Sequence, residues 1–95
     1  MHNNYIYILT NLKRTTFYIG VTNDLRRRVA EHKNGIESQF VRKYKLFILI
    51  YYEHFTDIKC AIMREKQLKN WHREWKINLI KEFNPDFKDL SEQLR

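Results

Sequence analysis

Two phenol-bearing segments, Tyr5-Ile6-Tyr7 and Tyr18-Ile19-Gly20, precede the run Asp24-Leu25-Arg26-Arg27-Arg28-Val29-Ala30-Glu31-His32, and a carboxylate, Glu65, follows much later. A tyrosine hydroxyl beside an apolar strand needs a hydrogen-bond partner, whereas near a phosphate it can orient or activate a water molecule. Phenols, a guanidinium, an imidazole and a carboxylate in this order point to phosphodiester cleavage. Such chemistry requires Tyr7, Tyr18, Arg28, His32 and Glu65 to meet in one cleft, so the elements that carry them must converge.

Tyr5 to Thr10 alternates large residues as a half-buried strand does, and Phe17 to Val21 does so again after a polar connection through Asn11, Lys13 and Arg14. The pair predicts a hairpin in which Tyr5 and Tyr7 share one face of the first strand while Tyr18 and Gly20 share a face of the second. A suitable register would bring the tyrosines together. Thr22 or Asn23 can cap a helix beginning near Asp24, and Gly35 is placed to end it. Leu46 to Tyr52 is a continuous apolar run, which predicts a strand covered on both faces and deep in the sheet. Asp57 to Asn70 and His72 to Phe83 have helical spacing, with Pro85 stopping the second. The order strand-strand-helix-strand-helix-helix predicts an α+β fold, a small, mainly antiparallel three-stranded sheet flanked by helices. Residues 1–84 would form one domain, and 85–95 a tail folded partly against it through Phe87 and Leu90.

Leu25 and Val29 define the apolar stripe of the first helix, with Arg28 and His32 beside it. A guanidinium directed towards a sheet must find carboxylate, phosphate or solvent, so Arg28 either binds an anion or snorkels at the helix edge. Arg26 and Arg27 point outwards. His32 is either an amphipathic packing residue or a proton relay one turn after Arg28. Glu65 falls in the middle of the face formed by Ile58, Ala61, Ile62 and Leu68, and there it either pairs with an arginine such as Arg28 or holds a metal ion. Glu53, Glu74 and Glu82 read as solvated or ion-paired residues. Trp71 and Trp75 fit core packing or a helix junction, Tyr44, Tyr51 and Tyr52 the core. His54 and His72 lack ligand spacing, and His2 is terminal.

The 95 residues carry a formal net charge of +7, which favours polyanionic partners, nucleic acid first among them. No apolar run approaches the roughly 20 residues needed to span a bilayer, and no signal-peptide core is present, so a cytoplasmic protein without membrane attachment is the expectation. Cys60, the only cysteine, excludes an intramolecular disulfide and a multi-cysteine zinc site; it reads as a small buried hydrophobe in a helix.

With these residues in order, the chain resembles the GIY-YIG nuclease superfamily, in particular its short stand-alone bacterial members, relatives of the nuclease domain of the excision-repair endonuclease. Tyr5-Ile6-Tyr7 takes the place of the first signature, with Tyr5 where the family has glycine, and Tyr18-Ile19-Gly20 supplies the second. Gly20 to Arg28 is similar to the family's glycine-to-arginine segment, and His32 follows in register. Ala61 to Lys69 resembles the segment bearing the metal-binding glutamate; Asn84-Pro85 with Asp89-Leu90 resembles the ending of the short bacterial members. The resemblance implies a metal-dependent endonuclease that nicks DNA in repair or recombination, with one Mg²⁺ or Mn²⁺ on Glu65. Tyr7 or Tyr18 would orient or deprotonate the attacking water, Tyr18 more directly. Arg28 would stabilise charge on the phosphate, and His32 would assist proton transfer or touch the phosphate. Gly20 would be structural support, and Arg26, Arg27 and Asn78 candidate substrate contacts. DNA would be held mainly through its phosphates with little base readout, and a recruiting protein is the other partner to expect. Two alternatives remain: a catalytically silent nucleic-acid-binding module on the same scaffold, and a basic adaptor for an acidic protein.

Overall fold

Alternation along the first strand sorts the molecule into layers. Ile6 and Ile8 face one side of the sheet, Tyr7 and Leu9 the other, and all four are buried. In a computed structural model, which describes residues 3–34 and 39–94, this strand, β1 (Asn4–Thr10), is followed by β2 (Phe17–Thr22) and α1 (Leu25–Lys33). Then come α2 (Gln39–Tyr44), β3 (Ile48–Phe55), α3 (Ile58–Asn70), α4 (Arg73–Phe83) and a 3-10 segment, Leu90–Leu94. The sheet is antiparallel with strand order β2-β1-β3, the α+β arrangement expected. Ile6, Ile8 and Ile19 pack with Ala61 and Leu68 of α3 and Ile80 of α4; Tyr7 and Leu9 pack with Leu25 and Val29 of α1 and Val41 of α2. Full burial of each large aliphatic side chain contributes about 1.5–3 kcal/mol. Among the described residues no helix is long and apolar enough to cross a membrane.

Several expectations are corrected. β3 is an outer strand and β1 the central one. The apolar run of β3 reflects burial of Leu49 in one core cluster and of Ile50 and Tyr51 in the other, although the strand as a whole is less fully covered than β1. The helix α2 was not expected, because six residues are too few to display a helical period. Asp24, rather than Thr22 or Asn23, caps α1: its carboxylate accepts from the Arg27 amide at 3.1 Å, while the Thr22 hydroxyl accepts from the Asp24 amide at 3.1 Å. Gly35, read as the end of that helix, and His2 lie outside the described residues. Cys60 is exposed rather than buried, and Tyr44 is 40% exposed rather than part of the core. Trp71 closes α3 at the junction with α4, edge-on to an exposed Trp75.

The end of the chain is fixed by two polar side chains. Between Ile8 and Leu9 the pairing with β3 shifts: Ile8 faces Tyr51 and Leu9 faces Leu49, so Ile50 is an extra residue. A bulge of this kind leaves its backbone groups in need of partners. Buried Asn84 donates to the Ile50 carbonyl at 3.1 Å and to the Lys88 carbonyl at 2.8 Å, and accepts from the Lys88 amide at 3.1 Å. Asp89 accepts from the amides of Leu49 at 3.3 Å and Ser91 at 3.0 Å, and from Lys33 Nζ at 2.8 Å. Leu90 is thereby set into the core beside α1.

Burial disfavours the charged form of Asp89, but the Lys33 and Ser91 contacts outweigh it and hold the carboxyl below its ordinary value. A carboxyl with a depressed folded-state pKa stabilises the fold above its unfolded value, near 3.9, and loses that contribution as pH falls through the folded value. Asp89→Asn is therefore expected to lower the melting temperature at pH 7 by an amount equivalent to about 1 kcal/mol or less, since the pair is partly solvated. The difference between the two proteins should begin to shrink as pH falls below about 4 and vanish only once pH is below the depressed folded-state value; a difference that does not change with pH through that range would show that charge is not its source.

Candidate active site

Cross-strand register brings the two tyrosine segments together. Tyr7 is directly opposite Gly20 and Leu9 opposite Tyr18, which makes Tyr7 and Tyr18 diagonal neighbours on one face, their ring centroids 6.2 Å apart. Diagonal positions lie within reach of aromatic side chains. Gly20 is required by the tyrosine across from it: a Cβ there would sit 2.6 Å from both Cζ and the hydroxyl oxygen of Tyr7. The glycine of the second segment makes room for the phenol of the first, a more specific part than general support.

Helix α1 lies over this pair. Its apolar contacts, Leu25 and Val29, set the helix rotation, and His32 is carried inwards one turn after Arg28. His32 Nε2 and the Tyr7 hydroxyl share a hydrogen bond of 3.0 Å, and the His32 ring is 5.8 Å from that of Tyr7 and 5.6 Å from that of Tyr18. Both His32 and Tyr7 are 1% exposed, whereas Tyr18 is half-buried. The imidazole thus sits behind the phenols, with Tyr7 as its contact, and not on the surface where a phosphate could touch it.

Arg28 is about one-third exposed and lies 3.8 Å from Glu31 on the same helix. Arg27 is exposed. Arg26 does not simply point into solvent: its Nε donates to the Leu94 carbonyl and clasps the end of the chain to α1. Asn78 is exposed on α4.

Glu65 belongs to the other helical layer, because α3 packs on the Ile6–Ile8 face. Its side chain is 18% exposed, as its place within the apolar face of α3 requires, and its partner is Lys69, 3.5 Å away and 55% exposed, rather than an arginine. The arginine pair expected for Glu65 is made instead by Glu53. Arg64 donates to Glu53 through Nε at 3.1 Å and Nη2 at 3.0 Å, stacks 5.3 Å above Trp71, and Tyr51 donates to the same carboxylate. Burial, followed by the Glu53 contact, pushes the Tyr51 hydroxyl well above the ordinary tyrosine range. The Glu53 hydrogen bond likewise raises the Arg64 pKa. These groups keep their protons at any physiological pH, and the network pins α3 to β3.

Tyr7, Tyr18 and His32 are therefore in mutual contact and Arg28 is one turn away on α1, but Glu65 lies in the layer across the sheet, so the single cleft expected for all five is corrected: the packing of α3 on the Ile6–Ile8 face keeps Glu65 out of the cluster. α3 packs on β2 as well as β1, and β2 is an outer strand of the sheet. Among the described residues no three His, Cys, Asp or Glu side chains cluster as a metal site. A single carboxylate with an exposed, displaceable lysine beside it does suit a small divalent cation that keeps most of its water. Phe40, not singled out in the sequence, is 6.4 Å from Tyr18. The aromatic and basic interleaving of Phe40-Val41-Arg42-Lys43-Tyr44 was the available signal.

Comparison with known proteins gives the family and the fold. Residues 3–78 match the family described as the GIY-YIG catalytic domain. A UPF0213 protein of Clostridium perfringens is 36% identical over 77 residues, 81% of this chain and 82% of the relative. A UPF0213 protein of Haloquadratum walsbyi is 33% identical over 78 residues, 82% of this chain and 86% of the relative. The solution NMR structure of a UPF0213 protein from Bacillus halodurans is similar with a TM-score of 0.59 and 26% identity, over 92% of both chains.

Proposed function

Because the chain belongs to the GIY-YIG catalytic-domain family, we propose that it is a divalent-metal-dependent endonuclease that hydrolyses DNA phosphodiester bonds. The observation that carries this reading is the contact of Tyr7, Tyr18 and His32 around a glycine with no room for a side chain. A buried phenol–imidazole pair behind a more accessible phenol is an arrangement for holding and moving a proton. His32 Nε2 and the Tyr7 hydroxyl can exchange one along their hydrogen bond, and Tyr18, the more accessible phenol, orients the attacking water. Arg28 stabilises charge on the phosphate from α1. Glu65 is the carboxylate that would hold Mg²⁺ or Mn²⁺, and a bound cation would supply Lewis-acid stabilisation of the phosphate oxygens. For groups from α1 and from α3 to act on one phosphate, the substrate would have to reach both faces of the sheet around its outer strand β2. The net charge of +7 supports binding through phosphates, with Arg27 and the exposed Asn78 as further candidate contacts.

The test is nicking of supercoiled plasmid, and of branched and single-stranded DNA, with Mg²⁺, Mn²⁺ or EDTA. Cleavage that requires the metal supports the reading; DNA binding without cleavage on any substrate would leave a silent binding module. Arg28→Ala is expected to lower the nicking rate about 10²–10³-fold, in line with the loss of one preorganised charge-stabilising group. Its thermal melt should fall by the equivalent of no more than about 1 kcal/mol, the upper range for a partly solvated charged side chain. Loss of the fold instead would make Arg28 a structural residue.

A further inference from the structure

From Tyr18 a row of aromatic rings runs outwards across α2. Phe40 follows at 6.4 Å and Tyr44 lies 4.8 Å beyond it, one helical turn later. Burial does not explain the two rings. Val41, 1% exposed, anchors α2 to the core, while Phe40 and Tyr44 remain 45% and 40% exposed. The charges between and after them are all positive: Arg42, Lys43 and Lys45, with no carboxylate from Gln39 to Lys45. Lys43 Nζ sits 5.4 Å from the Tyr44 ring centroid. Tyr44 in turn lines a mainly apolar cavity of about 460 Å³ with Phe47, Ile48 and the lysines Lys13 and Lys45. That volume is within the range of about 300–1,000 Å³ typical of small-ligand sites.

Exposed rings spaced along a cationic surface match one ligand chemistry especially well. Nucleobases present flat π faces and their phosphates present charge, and both are available together only where bases are unpaired and unstacked. In a duplex the faces are already occupied by neighbouring bases. An apolar protein partner would use the rings but would leave the lysines and Arg42 without counter-charges.

We propose that Phe40, Tyr44 and the cavity beyond them form a subsite that stacks unpaired nucleobases next to the phosphate presented to Tyr18. The inference rests on the nuclease reading for the part given to Tyr18, and it deepens that reading: the substrate is nucleic acid that is single-stranded beside the cut. Phe40 and Tyr44 are positioning residues that select the substrate.

The experiment measures affinity in EDTA for a short oligodeoxynucleotide and for a strand of equal length carrying abasic sites, which keeps the phosphates and removes the bases. The normal strand is expected to bind more tightly. Phe40→Leu and Tyr44→Leu should each weaken its binding about 5- to 100-fold and leave the abasic strand unaffected. Phe40→Trp should retain the preference, a rescue that simple loss of packing would not give. Equal affinity of the wild-type protein for both strands, or an unchanged preference in both leucine variants, would overturn the subsite. The outcome is separable from the nuclease reading: cleavage with base-independent binding removes the subsite alone, whereas base-dependent binding without cleavage supports the subsite and removes the nuclease.

Discussion

Glu65→Ala is expected to reduce metal-dependent nicking at least about 10³-fold, since a catalytic cation supplies several kcal/mol of transition-state stabilisation and each 1.36 kcal/mol is a factor of ten in rate. The same substitution should hardly alter stability. Its ion pair in the fold is with Lys69, which is 55% exposed, and such an i,i+4 pair is worth about 0.2–0.5 kcal/mol; alanine is also a better helix former. Glu65→Gln, which keeps size and polarity, should be as inactive as alanine, because an uncharged amide is a poor ligand for a hard cation. Nicking rates and melting temperatures of the three proteins, measured together, decide the matter. Nicking that survives in Glu65→Gln would remove Glu65 as the metal ligand, and a large fall in melting temperature with either variant would make it a structural carboxylate.

Gly20→Ala is the second substitution with a large expected effect. The added Cβ would meet Cζ and the hydroxyl of Tyr7 at 2.6 Å, and Tyr7 is not free to step aside: it is 1% exposed and hydrogen-bonded to His32. Overpacking of this kind destabilises by about 1–3 kcal/mol, or roughly 4–8 °C per kcal/mol in a domain of this size. The displaced phenol should also leave its hydrogen bond to His32, so nicking should fall with stability. The cause can be isolated. In Tyr7→Leu, which lacks the two atoms concerned, a further Gly20→Ala should be close to neutral or mildly stabilising, as alanine is preferred to glycine within a strand. Denaturant unfolding of the two singles and the double gives the coupling. An equal penalty in both backgrounds would trace the effect to the β2 backbone rather than to Tyr7.

The hairpin and the helices that bear Arg28, His32 and Glu65 were legible in the chain because their periods are local. Tyr5-Ile6-Tyr7 alternates, Leu25 and Val29 recur at one turn, and Ala61 and Leu68 mark the buried stripe of α3. Asn84 and Asp89 were visible only through resemblance. What they satisfy, the bulge at Ile50 and the amide of Leu49, exists only once β3 has paired with β1. The short α2 escaped notice, and with it Phe40 and the exposed position of Tyr44, because one and a half turns leave no period to read.

The sequence by itself determined which residue types are available, their order, and the face of its own element on which each one lies, since side-chain direction follows from local backbone geometry. Tertiary structure alone decided the rest. It made β1 rather than β3, with its continuous apolar run, the centre of the sheet, paired Glu53 rather than Glu65 with an arginine, and turned Arg26 to the Leu94 carbonyl. It also set Tyr7 across from Gly20 and in front of His32. Each of these outcomes joins residues distant in the chain, and such pairings are chosen by the packing of whole layers, where a partner of the right shape or charge is found only after the elements have docked.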